Sequence, residues 1–484
     1  MLKSNENAKK KRGNKMKRVL SIICSLIMLL SAGMMCACGG DEEEYLLTIG
    51  YDNGGYGLTW LENAVEKFCA KEGISPDQVY IEAEKDYTSS VNDKLVNNTS
   101  IRDVLLISAN AGTAREWAAL GLLEPLDDVF NTTLTTGTTA GKTVMQALKD
   151  KKRAEAGRYN DNYYCFPTDG GAWGIFYNKT MFEENGWEVP ETYDQLVALC
   201  EKIYQDNKNV SDNDKIHPFV CSSDITQYWD FIVQNWVVQL IGIEKYNEFC
   251  DLSGPEIYAE NSVYGQAKIK ALNAWSDIAV KNGEKYVVAD SASFLAAQIL
   301  FANGKIAMMP NGSWFENEIK ASLPDDVEIA LMPTPYIDGA LKDADGNYKK
   351  VSYGGNAGGY VIPAAATHKD LAKKFLAFLA EEETIKQVTL DSGSFSPFAC
   401  DYTDVVEDLT VCQKSVYDTI NGADSFGFIS TSPIAAAGMG IGFWIKGMPY
   451  ASMLSGSTTA RAFVAGEETY ANAEWEKILE RIEI

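Results

Sequence analysis

From Tyr45 onward the chain alternates short β-rich runs with longer helical stretches, and this alternation restricts its fold more than any other feature. Residues 46–51 read as a strand and 58–71 as an amphipathic helix, with a strand at 79–83 and a buried strand at 104–108. Further strands are predicted at 174–177, 305–309, 328–332 and 359–362, and helices at 192–204, 263–282 and 369–379. The last hundred residues are mainly helical. Such alternation argues for an α/β fold with largely parallel sheets. Roughly 440 residues are too many for one hydrophobic core and suit two domains of about 150–250 residues each. The sequence carries no fixed-period repeat, and its one biased tract is the Thr-rich segment 131–139.

Residues 1–37 read as a secretory signal rather than as part of the fold. A basic cluster (Lys9, Lys10, Lys11, Arg12, Lys15, Lys17, Arg18) precedes an uncharged apolar run at 19–35, which is slightly short for a membrane span and leads into small residues. Met16-Lys17-Arg18 would by itself begin an ordinary signal, so translation is expected to start at Met16. Met35-Cys36-Ala37-Cys38-Gly39-Gly40 resembles the lipobox of bacterial lipoproteins. Cys38 is the expected lipidation site, because Ala37 before it is small whereas Met35 before Cys36 is not. A lipid on this thiol tethers a protein without making it span the bilayer. Residues 38–44, with Asp41-Glu42-Glu43-Glu44, then form a solvated tether.

The formal net charge is −24, and the body without its basic leader is more acidic still. Such a surface repels nucleic acid and anionic headgroups, so neither is an expected partner. Seven cysteines follow Cys38 (Cys69, Cys165, Cys200, Cys221, Cys250, Cys400, Cys412), with no CxxC and no metal-ligand spacing. They read as mostly free, buried thiols, and no cofactor or metal is expected.

Several segments together resemble the family 1 extracellular solute-binding proteins, the group that includes the maltose- and oligosaccharide-binding proteins of ABC importers. The strongest is Trp173-Gly174-Ile175-Phe176-Tyr177-Asn178-Lys179, followed by Phe182, Gly186, Pro190 and Thr192-Tyr193-Asp194-Gln195-Leu196. Gly121-Leu122-Leu123-Glu124-Pro125-Leu126, Gly304-Lys305-Ile306-Ala307-Met308 with Gly312-Ser313-Trp314, and Tyr353-Gly354-Gly355 with Phe375-Leu376-Ala377-Phe378-Leu379 follow in the family's order. The resemblance implies a two-lobed periplasmic-binding-protein fold with three hinge crossings and a ligand cleft between the lobes. The crossings are expected at 167–171, 333–335 and 382–394. This gives an N-terminal lobe of 45–170 plus 335–382 and a C-terminal lobe of 171–334 plus 383–484.

A neutral sugar presents an apolar C–H face and an equator of hydroxyls, so its site needs aromatic plates and fixed hydrogen-bonding groups. Trp314 and Trp444 match positions where the resemblance implies a tryptophan stacked on sugar; the alternative for each is an ordinary buried tryptophan. Tyr228 and Trp229 fall where relatives set an acid and an aromatic against ligand. Trp173 opens the strand next to the hinge, where facing the cleft and packing beneath the hinge are both open. Trp236 has the helical spacing of a core residue. From the first lobe, Asn53 and Tyr56 lie in the glycine-rich turn after the first strand, and Ser108 and Asn110 follow the buried strand. Ligands bind at such strand C-ends in open α/β sheets. Many relatives carry an acid where Asn110 stands, which leaves the ligand subclass open. Gly355 and Asn356 would bring backbone close to ligand.

A phosphate-binding reading of these turns fails, since Gly54-Gly55-Tyr56-Gly57 lacks GxGxxG and no GxxxxGK[ST] is present. A secreted glycosidase would need two carboxylates at a set separation. Acids are too abundant here for one pair to be evidence, and the two histidines, His217 and His368, sit in no catalytic motif and read as surface residues. The expectation is therefore a non-enzymatic, monomeric, lipid-anchored receptor on the outer face of the cell membrane that delivers a carbohydrate to the permease subunits of an ABC importer. The alternatives are a polyamine, ferric iron or glycerol phosphate ligand, or a glycosidase. Tyr163-Tyr164 resembles the pair of ferric-binding relatives, but its place before Pro167 reads as structural.

Overall fold

The computed structural model describes residues 45–85, 87–99, 101–109, 111–222, 224–250, 254–291, 293–354, 359–427 and 444–482. Two five-stranded sheets organise it, and they account for every strand the alternation predicts. The first sheet runs in the order Val79–Glu84, Leu47–Asp52, Val104–Ala109, Gly359–Val361, Phe166–Pro167. Its first three strands are parallel, with Ile49 opposite Val104 and Leu47 opposite Val79. Gly359–Val361 runs antiparallel to Val104–Ala109, and Phe166–Pro167 antiparallel in turn to Gly359–Val361. The second sheet runs Ile329–Met332, Trp173–Asn178, Ile306–Gly312, His217–Ser222, Val287–Ser291. Here Trp173 pairs with Gly312 across an antiparallel ladder. The C-terminal ends of both sheets thus carry turns: Asn53–Tyr56 in one, Ser313–Trp314 in the other.

Local sequence explains how the helices attach. The helix Thr59–Glu72 buries Leu61, Val65 and Phe68 on one face, and Phe68 meets Phe375 and Phe378 at 5.1 and 5.5 Å. Thr192 opens the helix Tyr193–Asn207 with a capping box, Thr192 Oγ1 accepting from the Gln195 amide while Gln195 returns the bond. The helix Asp230–Cys250 is buried over 230–241, where only Leu240 is partly exposed, and kinks at Gly242 (φ 77°). Trp236 is core, as its spacing predicts, and its indole N–H donates to Pro335 O at 3.0 Å. Among the described residues no helix is long and apolar enough to cross a membrane.

Asp103 shows how the first sheet is locked. The carboxylate is buried, and it accepts from Thr48 N (2.9 Å), Thr48 Oγ1 (2.8 Å), Thr367 N and His368 N (both 2.8 Å), tying two strands to the entry of the helix Lys369–Leu379. His368 is consequently half-buried against Asp103 rather than a free surface residue. Asp103→Ala leaves buried donors unsatisfied and is expected to cost about 1–3 kcal/mol, read from the urea midpoint at unchanged m-value.

The helix Glu382–Ser392 packs on the first helix of the first sheet. Asn63 Nδ2 donates to Asp391 at 2.8 Å and Lys67 Nζ to Gln387 at 2.8 Å. Its N-terminus is held by the Thr-rich segment, where Thr135 and Thr136 donate amides and hydroxyls to Glu381 and Thr138 donates to Glu382. The chain reaches the second sheet only later: the helix Val411–Gly422 lies on Ile329–Met332, with Leu331 N donating to Ser415 Oγ at 2.8 Å.

Candidate functional site

A cavity of about 350 Å³ lies where the ends of the two sheets meet. The first sheet, with the turn and helix after its first strand, contributes Tyr51, Asp52, Gly55, Tyr56, Trp60 and Tyr360; the second, with the turns and helices after its strands, contributes Trp173, Tyr228, Trp314 and Glu318. Thr168 and Asp169 line it from the segment that joins them, and Ser394 and Ser396 from the return segment.

Trp314 is the centre of the arrangement. Its ring stands edge-on to Tyr56 (6.2 Å), Trp173 (6.2 Å), Tyr228 (6.3 Å) and Phe231 (6.0 Å), so it touches aromatics of both sheets. Edge-to-face geometry of this kind suits the ring quadrupoles and fixes each plate in place. The approach is possible because position 55 is glycine: a Cβ there would come within 2.7 Å of Trp314 Cδ1. Gly55→Val must displace the indole and is expected to cost about 1–3 kcal/mol in urea denaturation, with a changed near-UV circular dichroism signal from the tryptophans.

Polar contacts bridge the same seam. Asn317 Nδ2 donates to Gly55 O at 2.8 Å, and the Tyr56 hydroxyl lies 3.0 Å from Ser313 Oγ and 3.4 Å from Asp169 Oδ1. Asp169 also accepts from Gly171 N at 2.8 Å, and its backbone carbonyl accepts from the buried Arg153 guanidinium. Burial, then the Asp169 charge, pushes the Tyr56 hydroxyl well above the ordinary tyrosine range, so it stays a neutral donor. Burial lowers Arg153 to about 10, against the pull of Asp169 and Asp150, so it stays charged at neutral pH. Glu318 accepts from Gln298 Nε2, and burial raises its carboxyl to about 7.

The site is thus an aromatic box with carboxyl and hydroxyl groups at its edges. A profile for bacterial extracellular solute-binding proteins matches residues 63–400. The chain belongs to that family. Sequence relatives include a diacetylchitobiose-binding protein of Streptomyces coelicolor, 23% identical over 44% of this chain and 42% of the relative. A multiple sugar-binding protein of Streptococcus mutans is 26% identical over 61% of this chain and 62% of its own length, and a maltotriose-binding protein of Pyrococcus abyssi 28% over 58% and 52%. The chain therefore spans about half the length of the curated relatives it matches. Among solved structures, the GacH receptor of Streptomyces glaucescens superposes with a TM-score of 0.60 at 17% identity, covering 90% of this chain and 98% of the receptor. The solute-binding protein RafE, solved with raffinose, gives 0.58 at 16% identity, covering 87% of this chain and 99% of RafE. These likenesses establish the two-lobed solute-binding fold.

Within this solute-binding fold the structure brings four of the sequence-predicted site residues to the cavity: Tyr56, Trp173, Tyr228 and Trp314. Asn53 stands beside it instead, its amide donating to Glu84 O at 2.9 Å, and Asp52 takes the lining position. Ser108 lies in the strand Val104–Ala109, next to the lining residue Ile107. Asn110, Gly355, Asn356 and Cys38 fall outside the described residues. Two of the expected residues lie away from the cavity. Trp229 is 2% exposed, packed on Phe219 and Trp275. Trp444 is fully buried, its indole N–H given to Asp230 Oδ1 at 2.7 Å, and neither ring lines the cavity. Conversely, Asp52, Trp60, Asp169, Glu318 and Tyr360 line the cavity without having been among the expected site residues. Asp52 opens the glycine-rich turn, and Glu318 stands one helical turn after Trp314.

Proposed function

We propose that this solute-binding protein is the extracytoplasmic carbohydrate receptor of a bacterial ABC importer, tethered by a lipid on Cys38 and acting as a monomer without catalysis. The observation that carries the proposal is the cavity itself, where Trp173, Tyr228 and Trp314 stand within reach of Asp52, Asp169 and Glu318. Flat rings cover the C–H faces of a pyranose, and carboxyl oxygens accept from its hydroxyls. The sugar-binding names of the sequence relatives support the same class.

In this proposal the N-terminal lobe comprises 45–170 and 335 to the end of the helix Glu382–Ser392, and the C-terminal lobe the remainder. Ligand touching both lobes shifts an open population to closed, and the closed form is what the permease engages. A thermal-shift screen tests the reading, because a ligand that binds only the folded state adds about 2.7 kcal/mol at a hundredfold excess over Kd. Neutral oligosaccharides are expected to raise Tm. Stabilisation by spermidine, ferric citrate or glycerol phosphate with none by glycans would replace the sugar, and shortening of a glycan by the purified chain would replace the receptor. The anchor has its own test: mass spectrometry of the mature N-terminus is expected to find a diacylated Cys38.

A further inference from the structure

The residues lining the cavity include three carboxyl groups, Asp52, Asp169 and Glu318, and among the described lining residues there is no lysine, arginine or histidine. The three are not equivalent. Asp52 already accepts from the amide and hydroxyl of Thr88, and Asp169 from Gly171 N and the Tyr56 hydroxyl. Glu318 accepts only from Gln298 through Oε2, so Oε1 takes no protein donor among the described residues. It sits one turn beyond Trp314 and close enough to Tyr228 for its charge to raise that phenol. A free carboxyl oxygen beside two aromatic plates is a place for a ligand donor.

We propose that Glu318 determines which sugars this cavity accepts, admitting those that present a hydroxyl or ammonium donor at its free oxygen and rejecting those that present an anionic group there. This rests on the sugar-receptor reading and deepens it. An acidic sugar would set a second anion against a carboxylate in a site whose described lining holds no cation to neutralise it, and like charges at a largely buried carboxyl repel more strongly than in water.

The assignment has a pH signature. Facing Glu318 are Gln298, Lys85 and the Tyr228 phenol, with Glu316 on its own helix; burial outweighs the Gln298 hydrogen bond and the Lys85 charge and holds the carboxyl near 7. A ligand donor pairs with the ionised form and so lowers that pKa. Binding then releases a proton below about pH 7, and affinity rises with pH up to that point and levels off above it. Asp230, buried in the second-lobe core and held at about 6, titrates in the same range, so the variant at 318 is needed to separate the two.

The test is calorimetry on the mature chain and on Glu318→Gln, at pH 5.5, 7 and 8.5, in buffers of different ionisation enthalpy. The probes are the neutral glycan with the strongest thermal shift and a uronic-acid oligosaccharide of matched length. Wild type is expected to bind the neutral probe about tenfold more tightly at pH 8.5 than at 5.5 with proton release at the lower pH, and to bind the uronate at least tenfold more weakly. Glu318→Gln is expected to lose the proton release and most of the pH slope, and to bind the uronate better than wild type does. Circular dichroism of the variant checks its fold, and Glu318→Asp, which keeps the charge, is expected to retain the pH slope. Equal pH profiles in wild type and Glu318→Gln, or equal wild-type affinity for neutral and acidic probes, overturn the assignment while leaving the receptor intact. If no glycan binds at any pH, the sugar reading falls and the assignment with it.

Discussion

Replacing Lys268 by methionine is expected to destabilise the chain by about 3–5 kcal/mol, because it leaves a buried carboxylate without its cation. Lys268 is 1% exposed and pairs with Glu467, itself fully buried, at 3.0 Å. Its ammonium also lies 4.8–5.1 Å from the rings of Phe249, Tyr258 and Trp444, a cage that suits a cation stripped of water. Glu467 additionally accepts from Ile445 N at 3.0 Å, so the pair joins the helices Val263–Ala279 and Ala460–Ile482 to the segment that carries Trp444. Beside it, Asp230 accepts from the Trp444 indole, the Tyr450 hydroxyl (2.6 Å) and Gln234 (3.0 Å). Burial raises both carboxyls and lowers the lysine, so each group depends on its neighbours to remain charged. Unfolding in urea measures the loss. The double variant Lys268→Met with Glu467→Leu is expected to recover most of it, since removing both charges also removes the desolvation cost. A double variant no more stable than Lys268→Met would show that the pair is not the source of the loss.

This network also shows where sequence and structure part. The strands were legible because short apolar runs bounded by turn residues have few other fates in an α/β chain. The turn after Asp52 was legible as a candidate cavity element because strand C-ends are where such sheets leave room for ligand, and Trp314 through the family resemblance. Trp444 was not. Nothing in Gly442-Phe443-Trp444 says whether the ring faces a cleft or a buried aspartate more than two hundred residues away. The packing partner of the helix Glu382–Ser392 was not legible for the same reason: its amphipathic pattern specifies a buried face but not which sheet receives it. That choice is made by Glu381 and Glu382 reaching the amides of Thr135–Thr138, so a segment that reads as compositional bias is a cradle for two carboxylates. Asp169 became visible only once the fold set it beside Tyr56 and Gly171.

Trp314→Ala is expected to weaken ligand binding by about 2–4 kcal/mol, a thirty- to thousandfold rise in Kd, when titrated by calorimetry with the neutral glycan of highest affinity. Two contributions add in this ring. It offers a plate to the cavity, and it carries the packing between Gly55 and Tyr56 on one side and Trp173, Tyr228 and Phe231 on the other. Truncation removes the plate and also leaves Gly55 and the Tyr56 edge facing a void, so affinity falls both through lost contact and through a less favourable closed state. Trp314→Phe separates the two. A phenyl ring restores part of the packing with a smaller face, so a plate role leaves Trp314→Phe well short of wild-type affinity while its compaction by small-angle scattering on adding ligand is retained. A purely structural role has the opposite pattern, with affinity restored in step with stability. Should both variants bind as wild type does, the ligand would have to meet other walls of the cavity, with Tyr228 and Trp173 the remaining plates on the second sheet.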